Sequence, residues 1–298
     1  FVICVTVAVP PAHAQNSPAA TKNPPDKAAV DELQGEIDGF VKSLQEKSAI
    51  DEAAQAFVLK VALRKLRQSP EQRRLLGAER LEAALDRIRD ALSGPKGGDA
   101  ASGQKIREAA ATWLEEQTGS ADQAVAANAA LLLGDLKADG KPWIDGSKRL
   151  AAIAANADRK PAVRAAAIAG LNRQVDEWTG KQPAPPEVAA AVMPALAVIL
   201  AKTDPGDDPA GRWLVSRTLD VAAKIVPSAS PDLAKAMVGV MANPARSTDE
   251  RVRAAIALGR CATKESGLDA AAAVATIKQV AVDSLADSLG TEIGRAHV

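Results

Sequence analysis

The sequence predicts an all-α fold: a right-handed α-solenoid of stacked helical hairpins, preceded by an N-terminal helical segment of about three helices. Three observations carry that prediction. First, one short phrase recurs when Gly134, Gly170 and Gly259 are set in register: "ANAALLLG" at 127–134, "VRAAAIAG" at 163–170 and "VRAAIALG" at 252–259. The intervals are 36 and 89 residues, one step and about two, and a period near forty in a helical chain indicates stacked hairpins. Second, no stretch alternates apolar and polar residues for long enough to propose a strand. Third, helix-start signals fall where hairpins need them. Ser120 with Gln123 and Ser247 with Glu250 have capping-box spacing, and Pro161, Pro209 and Pro231 suit first helical positions.

The elements follow in chain order. Residues 1–14 open with the apolar run "FVICVTVAV" and end on Ala12-His13-Ala14, which reads as the remnant of a secretory signal peptide cut before Gln15. The run is too short to span a bilayer, which takes ~20 residues. Residues 15–26 are a Pro- and Ser-containing linker. Asp26 then offers an N-cap to a helix with Val30, Leu33, Ile37, Val41 and Leu44 on one stripe. A second helix is expected over about 50–67, and a third from "SPEQ" at 69–72 to residue 92, completing a 27–92 segment. Whether that segment is a separate bundle or irregular repeats, periodicity alone leaves open. The Gly-rich stretch 93–103 reads as a boundary. Four hairpins then cover 104–137, 147–173, 187–226 and 231–262, with an unpaired helix at about 267–289, so the repeat region is 104–290. The final "EIGRAHV", 292–298, is what a common sequencing adapter encodes in this frame, and the natural protein is expected to continue past about Thr291.

The segment "RLAAIAANADRKPAVRAAAIAGLNR", 149–173, resembles a HEAT repeat of the armadillo-type α-solenoids. An apolar first helix leads to a turn bearing Asp158, then Val163 and Arg164 open a second helix with small residues and Gly170. The resemblance implies an aspartate in the turn six positions ahead of an arginine, and Asp158 and Arg164 fit. The other copies depart: Asp122 precedes Asn128, and Ser247 precedes Arg253. HEAT-type solenoids generally bind other proteins along their second helices, which implies a protein partner and makes Arg173, Arg217, Lys224 and Arg260 the candidate binding residues.

Candidates for chemistry are few. The only histidines, His13 and His297, lie in the two terminal stretches, and the body between has no Tyr and one cysteine, Cys261. An exported chain with one thiol has no internal disulfide framework. Basic and acidic residues balance at 37 each, so bulk charge points to neither nucleic acid nor an anionic membrane. Adjacent carboxylates at Glu115–Glu116, Asp176–Glu177, Asp207–Asp208 and Asp249–Glu250 point about 100° apart on a helix and do not converge on one atom. The loop 203–211 gathers Asp204, Asp207 and Asp208, but not at EF-hand spacing. The basic run 59–74 lacks interleaved aromatics and reads as a solvated helix face. The apolar run 188–201 is too short for a membrane span and is expected to bend at Pro194. Trp113 reads as core, whereas Trp143 and Trp178 fall in turn-like text and suit a cap or a partner contact.

The expected function is therefore an exported, non-enzymatic scaffold for protein–protein interaction, with no metal, cofactor or catalytic residue assigned and no membrane span in the mature chain. Two alternatives remain: an accessory solenoid arm of a larger enzyme, and a nucleic-acid-binding HEAT-like solenoid.

Overall fold

The computed structural model describes residues 26–47, 49–63, 78–94, 100–179, 184–203, 209–225, 230–261 and 267–296. The signal-like stretch 1–14, the linker up to 25, the "SPEQ" helix start, the basic run beyond Leu63, Asp204, Asp207 and Asp208 lie outside the described residues, as do His297 and Val298.

Among the described residues the chain is almost wholly helical. The helices are α1 (Lys27–Lys47), α2 (Glu52–Val58), α3 (Ala78–Ser93), α4 (Ala100–Gln117), α5 (Gln123–Asp135), α6 (Ile144–Ala155), α7 (Pro161–Thr179), α8 (Pro186–Lys202), α9 (Pro209–Lys224), α10 (Pro231–Ala242), α11 (Thr248–Cys261) and α12 (Ala270–Ala296). Several helix starts have a local cause. Asp26 and Asp51 accept backbone N–H bonds from Ala28 and Ala54, both at 2.9 Å. The capping box at α11 closes in both directions: Ser247 N donates to Glu250 Oε2 at 3.1 Å, and Glu250 N to Ser247 Oγ at 3.3 Å. At α5 the cap differs from the sequence reading. Asp122 caps the helix, accepting from Ala124 N at 3.1 Å, while Ser120 Oγ accepts from Asp122 N at 3.2 Å and steadies the turn before it. Pro161, Pro209 and Pro231 each open a helix, and α8 runs through Pro194 as one element.

Other departures are local. The helix expected over 50–67 becomes α2 followed by a π-helical turn, Leu59–Leu63. The Gly-rich boundary is narrower than 93–103, because α4 already begins at Ala100. Its glycines matter for contact: a Cβ on Gly94 would stand 2.8 Å from Gly103 Cα, so the start of α4 folds back onto the end of α3 only with glycine there. A two-residue ladder not expected from the sequence pairs β1 (Lys137–Ala138) with β2 (Lys141–Pro142). Asp139 and Gly140 turn between them with φ of 52° and 73°, the left-handed pair a tight hairpin requires. Trp178 sits inside α7, which continues to Thr179.

Packing gives the helices their order. From α4 onward, consecutive helices pair as α4 with α5, α6 with α7, α8 with α9 and α10 with α11. Helices two places apart also pack: α5–α7–α9–α11 form one row and α6–α8–α10–α12 the other. The π turn joins the first row at its other end, where Asn128 Nδ2 donates to Leu63 O at 2.7 Å. One cluster of buried side chains runs from Phe40 to Val280. It is built mainly of Ala, Leu, Val and Ile; burying each larger aliphatic contributes roughly 1.5–3 kcal/mol. Small residues set the spacing. Ala126, Ala129 and Ala130 of α5 and Ala166 and Ala167 of α7 are buried, and a Cβ on Gly134 would fall 2.6 Å from Gly170 Cα.

The structure also separates two registers. In the turn before α7, Asp158 N donates to Asn156 Oδ1 and Arg164 Nε to Ala154 O, each at 2.9 Å. In the turn before α11, Ala245 N donates to Asn243 Oδ1 and Arg251 Nε to Met241 O, each also at 2.9 Å. These equivalent residues (156 and 243, 164 and 251) stand eighty-seven apart, whereas the repeated words at 163 and 252 stand eighty-nine apart. The second word is thus displaced by two residues, about 200° around its helix. Gly170 packs against α5, while Gly259 is exposed with nothing within 4 Å of a Cβ built on it.

Candidate functional site

The four candidate cations lie on the first row, and the structure distinguishes among them. Arg173 on α7 reaches back to α5, pairing with Asp135 at 3.0 Å and donating to Leu131 O at 3.1 Å. Asp135 also receives Arg89 of α3 at 3.0 Å. Lys224 on α9 reaches back to α7, with Asp176 at 2.6 Å and Asn172 Oδ1 at 2.9 Å. Arg253 on α11 repeats the step to Asp220 of α9 at 3.1 Å. Its bond to Asp249, with Asp220 beside it, raises the Arg253 pKa further above its ordinary value. A ladder therefore crosses the row, bases reaching back and acids reaching forward. Such pairs, part-exposed on the row's surface, each contribute on the order of 1 kcal/mol, so the ladder sets register more than stability.

Arg217 and Arg260 are different. Arg217 pairs within its own helix with Asp220 at 3.1 Å, and its guanidinium lies 5.5 Å from the centroid of the Trp213 ring. Trp213 is 39% exposed, the one large aromatic among the exposed apolar side chains described. Sequence reading passed over it, although "WLVSR" places Trp213 and Arg217 four apart on one helix face. Residues 213, 217, 220 and 224 share that stripe of α9. Arg260 is exposed at the end of α11 and has no ion pair among the described residues.

The aspartate–arginine arrangement implied at Asp158 and Arg164 takes another form. Arg164 donates to the end of its own hairpin's first helix, and its burial lowers the guanidinium's pKa. Adjacent carboxylates divide as helix geometry requires. Glu115 holds Arg149, Asp176 holds Lys224, and Glu177 holds Lys137 at 3.0 Å. Asp249 holds Arg253, while Glu250, almost fully buried, caps α11 and faces Arg246 at 3.5 Å. No group of three or more His, Cys, Asp or Glu among the described residues is placed to hold a metal ion. Cys261 is buried, its Sγ donating to Ala222 O at 3.1 Å, and burial pushes its pKa up to about 11 against a smaller opposing effect of Arg260. That thiol is a weak nucleophile at neutral pH.

Two grooves open on the helices that precede each hairpin turn. One, of about 630 Å³, lies between α8 and α10 and is lined by Ala197, Val198 and Gly239 together with Lys202, Asp232, Lys235 and Arg246. The other, of about 610 Å³, lies between α4 and α6 beside Trp113 and Trp143. Both indole rings are largely buried, and Trp143 carries Arg107 at 5.5 Å. Among the described residues, no helix is long and apolar enough to cross a membrane. In comparisons with protein-family models, curated proteins and solved structures, nothing matches the chain.

Proposed function

We propose that this chain is a HEAT-like α-solenoid that serves as an exported, non-enzymatic scaffold for another protein, with its docking face on the row α5–α7–α9–α11. The observation that carries the reading is the packing of alternate helices: each helix of a row rests on the next but one, so every hairpin covers its neighbour's apolar side. A stack of this kind offers an extended face instead of an enclosed pocket. On that face Trp213 with Arg217 supplies the pair of residue types most enriched at binding hot spots. Arg173 and Lys224 serve the ladder, which holds neighbouring helices in register beneath the docking surface, and Arg260 extends the cationic edge. Export rests on the Ala12-His13-Ala14 cleavage pattern.

The test is photo-crosslinking from a benzophenone side chain placed at position 213, in the source cells. A discrete protein adduct that weakens with Arg217→Glu supports the reading. No adduct, or an adduct to nucleic acid that fades steeply with salt, sinks it. N-terminal sequencing of the secreted protein should begin at Gln15; a mature chain retaining residues 1–14 removes the export claim.

A further inference from the structure

The two grooves carry opposite charge. Between α4 and α6 the lining holds Glu108, Glu116 and Asp145 against Lys105 and Arg149. Between α8 and α10 it holds Lys202, Lys235 and Arg246 against Asp232 alone. The second groove is thus locally cationic in a chain whose formal net charge is zero. Lys202 and Lys235 are exposed and have no ion pair among the described residues. Arg246 is only 8% exposed; its guanidinium faces Glu250 at 3.5 Å and donates to Thr203 O. Beside it Thr203 Oγ1 is buried without a hydrogen-bond partner, a cost that a polar ligand group would relieve. Between the cations the lining is small and apolar. Ala197 and Ala201 come from α8, Ala236 and Gly239 from α10, and a Cβ on Gly239 would meet nothing within 4 Å.

We propose that this groove binds an extended acidic segment of a partner protein, with two acids four residues apart and an apolar residue midway. The spacing follows from the helices. α8 and α10 end side by side, with Thr203 and Asn243 as their C-caps, so Lys202 is level with Ala242. Lys235 lies some seven positions earlier, roughly 11 Å along the axis. An extended segment rises about 3.3 Å per residue and turns every second side chain to the same side. Acids at its first and fifth positions therefore stand about 13 Å apart on one face, within reach of the two flexible lysine stems, and its third residue faces Gly239. A helix, about 10–12 Å across, is too wide to enter between helices whose axes lie about 8–10 Å apart. A lipid with one anionic headgroup would use only one end. The groove belongs to the row away from Trp213, so the proposal stands whether or not that other face docks a protein.

The test is selection of a phage-displayed random peptide library on the full chain, followed by titration of the most enriched sequence as a synthetic fluorescent peptide. Enriched peptides should carry Asp or Glu four apart with an apolar residue between them. Replacing both acids by their amides should weaken binding roughly 10-fold or more, as should Lys202→Glu with Lys235→Glu. Gly239→Leu should abolish binding by filling the groove, while the far-ultraviolet circular dichroism stays unchanged, since the new side chain meets no clash and leucine favours a helix over glycine. Lys278→Glu on α12 should bind as the wild type does. No enrichment, enrichment without the acidic pair, or binding that survives Gly239→Leu overturns the proposal. Asp204, Asp207 and Asp208 follow Lys202 closely in the chain. If acidic peptides bind only after these three are changed to Asn, the occupant is the chain's own acidic stretch and the proposal falls.

Discussion

Gly134 and Gly259 occupy the same place in the repeated phrase, yet the structure assigns them opposite roles. A Cβ on Gly134 would approach Gly170 Cα to 2.6 Å, and the obstacle is backbone of α7, which cannot rotate aside. The two helices must separate by several tenths of an ångström, loosening the buried contacts of Ala129, Ala130, Ala166 and Ala167. Overpacking of this kind costs about 1–3 kcal/mol. The usual gain of alanine over glycine in a helix interior is about 1 kcal/mol, and it is smaller here because Gly134 is next to the end of α5. Gly134→Ala should therefore lose about 1–2 kcal/mol net. Gly259→Ala, exposed within α11 with no atom in reach, should gain about 0.5–1 kcal/mol. Urea unfolding of both variants beside the wild type, with midpoint and slope fitted together, measures the two shifts. If both move the same way, or if Gly134→Ala is neutral, the close approach of α5 and α7 is wrong.

Other consequences are independent of that contact. Ser247→Ala opens the capping box of α11 and should cost about 1 kcal/mol in the same assay; no change would mean that Glu250 alone holds the helix start. Cys261 should react with a thiol reagent far more slowly in the native protein than in urea. Because burial raises its folded pKa from 9.0 to about 11, the native state keeps a proton that the unfolded chain loses above 9. Stability should fall as pH rises through that window, and the alkaline loss should shrink in Cys261→Ala; an unchanged pH profile would refute it. The pKa of Asp283 is lowered by hydrogen bonds from Gln279 and then Arg251. Its contribution is present above the ordinary carboxylate range, near 3.9, and is lost as pH falls through the lower folded value. Asp283→Asn should lower the melting temperature at neutral pH, with the difference vanishing in strong acid; a difference that survives acid would rule out the carboxylate as its source.

Much of the local structure was legible in the text. Ser247 and Glu250 announced a cap that forms as spaced, and three prolines marked helix starts, because such signals act within one turn of backbone. The β1–β2 ladder was missed although Asp139-Gly140 signals a tight hairpin, since two residues on each side are too few to show alternation. The candidate cations could be placed on second helices by periodicity, but their partners could not. Asp135 and Asp176, which hold Arg173 and Lys224, come from neighbouring helices thirty-eight and forty-eight residues away in the chain, a distance over which no spacing rule speaks.

What the sequence determined by itself is the helical character of the chain and its division into hairpins, because periodicity and capping are properties of short segments. Tertiary structure alone decided which face of each helix meets its neighbour. A shift of two residues rotates a helix surface by about 200°, so nearly identical words can be core in α7 and surface in α11. Only the packed partners distinguish the two.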